Sequence, residues 1–426
     1  MVSTWLIASL AASSLVGLGA AVPRAACASQ GVFFDADEVI EGRYYIVSDQ
    51  RGNDAAREMS LFLDAAFPQF EDLLRARPKI KAGRLRVDLV NGPRAWKERL
   101  RSLGIDPRQI EGGGHYDAAT ETVLVRAQAT GYMTRVQLLR ACLRQFHHLS
   151  KAKNEGLLGH WFVVGLSEVV SMHRWNGARL EVGAKLALSA IDLPAMALDS
   201  LRRRPLTTEQ FRDHLLRSGP MAWTLTSFLM VGEDGKHRKR FQKLALGHRG
   251  SMLDGEQLSR SLGSPADIGA RIETWLRSVQ LPLEVLSGDF EDRVQGQLTG
   301  TGTYSVPAIA SPRAKVHRLS CTVDVADGQG AGLVLDYESP YSLTYFMVAD
   351  GRLWSFVVRR GKHEAIDCFR QPRAMGGKIE FEAIRADGRV EVYVNGGSVG
   401  SLESSSDRLA LIVQRGQATF TDVEWE

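Results

Sequence analysis

The periodicity of the chain changes once, near Leu281-Pro282, and that change limits what it can fold into. Downstream, to Glu426, short segments alternate apolar and polar residues: Gly332–Tyr337, Leu343–Val348, Leu353–Val358, Lys378–Ala383, Val390–Val394 and Ala418–Val423. Period-two alternation sets one face on a core and the other in solvent, as strands do. Asp350-Gly351, Asp387-Gly388 and Asn395-Gly396 fall between these segments. Such dipeptides make two-residue hairpins because both residues accept a positive φ. Many short antiparallel strands joined this way predict an all-β sandwich.

Upstream the pattern mixes two periods. Arg43–Val47, Leu85–Val90 and Thr122–Val125 read as strands. Between the first two, Ala56, Met59, Phe62, Leu63, Ala66 and Phe70 recur at the 3.6-residue spacing of a helix over Asp54–Leu74. Val136–Leu149 repeats that spacing with Leu139, Cys142, Leu143 and Phe146, and further helices are expected over Thr208–Leu216, Met221–Val231 and Pro265–Val279. The last begins Ser264-Pro265, an N-cap followed by proline at the first helical position. A chain of 426 residues exceeds one ordinary domain, so two units meeting near residue 284 are expected.

The first residues suggest export. Trp5 to Val22 is apolar or small and uncharged, and Ala26-Cys27-Ala28 is an A-x-A site, so 1–28 reads as a secretory signal peptide cleaved after Ala28. A lipid anchor on Cys27 is the rival, disfavoured by Arg24 three residues before it. No later segment is long and apolar enough to span a bilayer. The formal charge is +4, and removing Arg24 with the signal leaves +3. So small a surplus argues against nucleic acid as a partner, and the basic run Lys236–Lys243 reads as a solvated helix face. Cys142 reads as a buried apolar residue, whereas Cys321 and Cys368 are placed where an exported protein would permit a disulfide.

Five segments occur in an order that resembles the peptidase-MA-like (gluzincin) domains of exported bacterial proteins. They are YYIVSDQ near residue 44, GGGHYDAATETVLV at 112–125, LLRACLRQFHHL at 138–149, WFVVGLSE at 161–168 and MAWTLTSFL at 221–229. The region 285–426, with VEVYVNGGSVGSL at 390–402 and ATFTDVEWE at 418–426, resembles the concanavalin A-like (laminin-G-like) jelly roll. The resemblances imply a signal peptide, an α+β gluzincin-like domain over 29–284, and an all-β jelly-roll sandwich over 285–426.

In a gluzincin, HExxH places two imidazoles one helical turn apart to bind Zn²⁺, and the Glu between them activates a metal-bound water. A further Glu on the next helix is the third ligand. Laid on this chain, the motif falls on Arg144, Gln145, Phe146, His147 and His148, with Val164 at the third ligand. Arginine stays protonated, a carboxamide is no base, and valine has no donor atom. The resemblance therefore implies a catalytically inactive relative, with no zinc, that binds a peptide, a glycan or an envelope component. The alternatives are a zinc hydrolase with a rearranged site drawn from His148, Glu155, His160 and Glu168, and a structural envelope protein.

Two readings of the altered site remain open. Arg144, Gln145 and His148 could line a cleft with donors suited to an anion, with Tyr116 and Glu168 beside them. Alternatively, Arg144 could form an internal salt bridge with Glu168, the commoner outcome. In the sandwich, Glu380 and Glu382 leave one strand face together and read as solvent-face charge, while Tyr337, Tyr341, Tyr345 and Trp354 read as core aromatics rather than a sugar platform.

Overall fold

A computed structural model describes residues 38–80, 83–110, 112–150, 158, 160–189, 191–203, 219–247, 265–293, 296–303, 305–325, 329–366, 369–371 and 377–426. The chain forms two compact units, one of residues 1–184 and 193–280, the other of 185–192 and 281–426.

The first unit is built on a five-stranded mixed sheet of β1 (Glu38–Glu41), β2 (Tyr45–Asp49), β3 (Leu85–Val90), β4 (Gly114–Asp117) and β5 (Thr122–Arg126), ordered β1-β2-β3-β5-β4. β2, β3 and β5 run parallel, and the two edge strands are antiparallel to their neighbours. Helix α1 (Asn53–Leu74) buries the stripe read from the sequence, extended by Phe67 and Leu74. α2 (Pro93–Ser102) starts with proline in its first turn, behind Gly92. α3 (Gly131–Ser150) and α4 (Trp161–Ser171) follow β5. After them come β6 (His173–Trp175), β7 (Leu180–Val182), α5 (Leu193–Arg203), α6 (Gly219–Val231), α7 (Arg238–Gly247) and α8 (Pro265–Ser278). The helix expected over Thr208–Leu216 lies outside the described residues.

α6 is buried from Pro220 to Met230, so it has no polar face to give to water. It packs on α4 at Gly165, where a Cβ would meet the Ala222 carbonyl oxygen at 2.3 Å and Thr226 Oγ1 at 2.1 Å. Only glycine lets the two backbones come so close.

The second unit is all β. Seven strands form one sheet: β16 (Lys362–Ala365), β15 (Arg352–Arg359), β14 (Ser342–Ala349), β13 (Gly330–Ser339), the first half of β20 (Ala410–Trp425), β11 (Ala308–Pro312) and β8 (Leu283–Ser287). The facing sheet holds β19 (Gly397–Glu403), β18 (Arg389–Val394), β17 (Ile379–Ala386), β12 (Arg318–Val325), the second half of β20, β10 (Gln297–Gly302) and β9 (Asp289–Arg293). β20 passes from one sheet to the other at Gly416, whose φ of 78° is easily adopted only without a side chain. The result is a two-sheet sandwich of jelly-roll kind. Phe290, Phe346, Phe381 and Phe420 fill the space between the sheets. The three hairpin dipeptides have positive φ at both residues.

The strap 185–192 is built into this unit. Leu188 is fully buried in the sandwich core, the Ala187 amide donates to the Asp292 carboxylate, and Asp192 pairs with Arg313. β8 pairs with β11 and spans position 284, so the second unit starts at Leu281 rather than at the expected 285.

Candidate functional site

The residues singled out on α3 point in different directions, set by the helical rotation of about 100° per residue. Phe146 packs edge-on against Phe67 and Phe70 of α1, with ring centres 5.1 and 5.7 Å away. His147 meets Phe162 of α4 at 5.5 Å. His148 turns to the edge strand, where its Nδ1 lies 2.8 Å from the Tyr116 hydroxyl oxygen. Gln145 faces the sheet instead of a cleft, contrary to expectation. Its Nε2 donates to the backbone carbonyls of Arg86 on β3 (3.2 Å) and Glu121 just before β5 (2.8 Å). The carboxamide there holds the helix on the sheet and is fully buried.

Arg144 forms no salt bridge with Glu168. The carboxylate is taken by Arg140, one turn earlier on the same helix face. Arg144 is half-buried, and its Nε is enclosed without a hydrogen-bond partner. Burial lowers its pKa most, the Glu168 carboxylate acts in the opposite direction, and Arg140 adds to the lowering. His115 on β4 is likewise held below the usual imidazole range, by burial first and then by Arg144, against the pull of Asp117. The cluster thus sets two guanidinium ions against one carboxylate. The spacing of Arg140 and Arg144 in RACLR was visible in the sequence, but which of them would take Glu168 was not.

A zinc ion does not fit these residues. Arg144, which the resemblance sets at the first imidazole, is a cation, Gln145 is committed to two carbonyls, and Val164 on α4 carries only methyl groups. Of the fallback ligands, His160 caps α4, its Nδ1 accepting from the Phe162 amide at 3.5 Å, and Glu168 is paired with Arg140. Glu155 lies outside the described residues. Among the described residues no three His, Cys, Asp or Glu side chains are grouped to hold a metal.

In the sandwich, Ile379, Phe381 and Ala383 are buried, while Glu380 is exposed and Glu382 accepts from Arg318 Nε at 2.6 Å. Tyr345 is a core residue, as expected. Tyr341 and Trp354 are corrections, since both are exposed, at 55% and 41%. Cys142 and Cys321 are buried free thiols, and Cys368 and Cys27 lie outside the described residues. Among the described residues no helix is long and apolar enough to cross a membrane.

No protein-family model and no curated protein matches the chain. Solved structures do. The carbohydrate-binding module CBM66 from Bacillus subtilis matches at 16% identity and a TM-score of 0.29, over 34% of this chain and 95% of that one. A putative glycosyl hydrolase from Parabacteroides distasonis matches at 14% identity and 0.25, over 33% and 86%. Sheep galectin-11 matches at 16% identity and 0.22, over 28% and 97%.

Proposed function

We propose that this chain is an exported, catalytically inactive relative of the gluzincin peptidases, joined to a concanavalin A-like sandwich, and that it acts by binding a peptide, a glycan or an envelope component. The observation that carries the reading is Arg144. It stands where the family places a zinc-binding imidazole, and a guanidinium cannot surrender its proton to become a ligand. Val164 at the third ligand and the anchoring of Gln145 to backbone carbonyls support the same reading. The order of the edge strand β4, then β5, α3 and α4 is compatible with the resemblance.

The test is the metal content of the purified protein, measured by mass spectrometry alongside a peptidase assay with and without chelator. The expected result is well under one zinc per chain and no chelator-sensitive cleavage. Arg144→His, Gln145→Glu and Val164→Glu together should restore zinc binding, though a carboxylate at 145 also meets two carbonyl oxygens and lowers stability. Stoichiometric zinc in the unmodified protein, lost on His148→Ala, would replace this reading with that of an active hydrolase. Export rests on the A-x-A site, and N-terminal sequencing that finds Met1 retained in the mature protein would remove it.

A further inference from the structure

The face of α3 between β4 and α4 holds two enclosed nitrogens of different kinds without a hydrogen-bond partner. Arg144 makes no salt bridge among the described residues, because Arg140 holds Glu168, and its Nε is enclosed without a hydrogen-bond partner. One turn along the same face, His148 is 98% buried by its 2% exposure, and its Nε2 has no hydrogen-bond partner. Its Nδ1 is held by the Tyr116 hydroxyl, which fixes the ring. When the phenol donates to Nδ1, the ring proton sits on Nε2 and makes it a donor. Positions four apart on a helix lie about 5–6 Å from each other at Cβ, so the two side chains are neighbours on one face. Buried polar atoms are nearly always satisfied. Arg144 Nε and His148 Nε2 are both enclosed without a partner, four residues apart on one helix face.

We propose that this face is a receptor for one carboxylate, with the Arg144 guanidinium as its charged anchor and His148 Nε2–H as its second donor. The inference rests on the metal-free reading above and names the ligand chemistry of the same site. Arginine suits this role because its planar fork matches the two oxygens of a carboxylate, and partial exclusion of water strengthens the pair. A peptide C-terminus and a uronic acid both offer the group. Glu168 attracts the Arg144 charge and Arg140 repels it, and neither is assigned a contact with the ligand.

The experiment uses the full mature chain and calorimetry with two matched probe pairs: N-acetyl-dialanine against its amide, and glucuronate against glucose. At least one acid should bind tenfold or more tighter than its neutral partner, and the pair that does so identifies the source. Arg144→Met should lower that affinity by about 10- to 100-fold, the loss expected for a charged hydrogen bond. It should change the melting temperature of the ligand-free protein little, because the Glu168 attraction it removes is offset by the Arg140 repulsion it relieves. Arg144→Gln serves if the methionine variant fails to fold. His148→Phe keeps the ring and should weaken the acid alone. Equal binding of acid and neutral partner overturns the site, as does unchanged affinity in both Arg144 variants. Zinc measured in the same samples separates the two failures. Metal-free protein that ignores the carboxylate loses only this site, whereas zinc on His148 removes the inactive-relative reading as well.

Discussion

Acid should unfold the first unit through one histidine, His173. Its ring is fully buried, stacked on Tyr132 at 4.9 Å with planes 13° apart and set edge-on to Phe62 at 5.5 Å. Nδ1 donates to the Ser171 carbonyl at 2.8 Å, so the neutral ring leaves its lone pair on Nε2, which has no partner. Protonation would create a buried N–H without an acceptor, close to the Arg135 cation. Burial first and Arg135 second bring the pKa down from 6.5 to about 3, against the raising effect of the Ser171 bond. The unfolded chain then binds the proton first as pH falls. The stabilisation is complete above about pH 6.5 and is lost by about 1.4 kcal/mol per unit towards pH 3. Between about pH 7.5 and pH 4.5 the loss is about 2–3 kcal/mol. Urea titrations followed by helix circular dichroism would measure it, with His173→Phe as the reference. Phenylalanine keeps the stack on Tyr132 but gives up the bond to Ser171, about 1 kcal/mol at neutral pH. The wild-type advantage should therefore shrink and reverse as the solution is acidified. A difference between the two proteins that stays constant over that range would refute the reasoning.

Two further outcomes follow from packing. Gly165→Ala should cost about 1–3 kcal/mol or more, because the added methyl overlaps the Ala222 carbonyl and Thr226 Oγ1. A shift in the helix unfolding midpoint worth less than about 0.5 kcal/mol would mean that α4 and α6 are not in such close contact. Leu188→Ala should remove about 2–5 kcal/mol from the sandwich although residue 188 is flanked in sequence by first-unit segments. Loss of the helix signal with the β signal intact would show that the strap belongs elsewhere.

Much of this architecture could be read from local pattern. Leu85–Val90 is a strand with the expected bounds, the stripe on α1 faces the core, and each Asp-Gly or Asn-Gly pair turns a hairpin. What escaped was set by distant partners. Gln414-Arg415-Gly416-Gln417 looks like a polar break, so only Ala418–Val423 read as a strand, yet β20 runs through it because Gly416 lets it change sheets. Gln145 looked like a cleft residue because its carbonyl partners come from β3 and the start of β5, not from the helix. The order of segments around α3 was legible, but the choice of Arg140 over Arg144 for Glu168 depends on side-chain directions that spacing does not encode.

The strap has a consequence for how the molecule can be taken apart. The chain crosses between the units three times, after Ala184, Asp192 and Gln280. A protease that nicks the 280–281 link therefore frees neither piece, since residues 185–192 stay seated in the sandwich and tethered at both ends. Release needs all three links cut, and the freed sandwich would carry an eight-residue peptide as a non-covalent part of its core. Synthesis meets the same knot in reverse. Ala187 leaves the ribosome 105 residues ahead of Asp292, its hydrogen-bond partner, and must wait for it. The core around Leu188 is finished only when the last strand, β20, has been made.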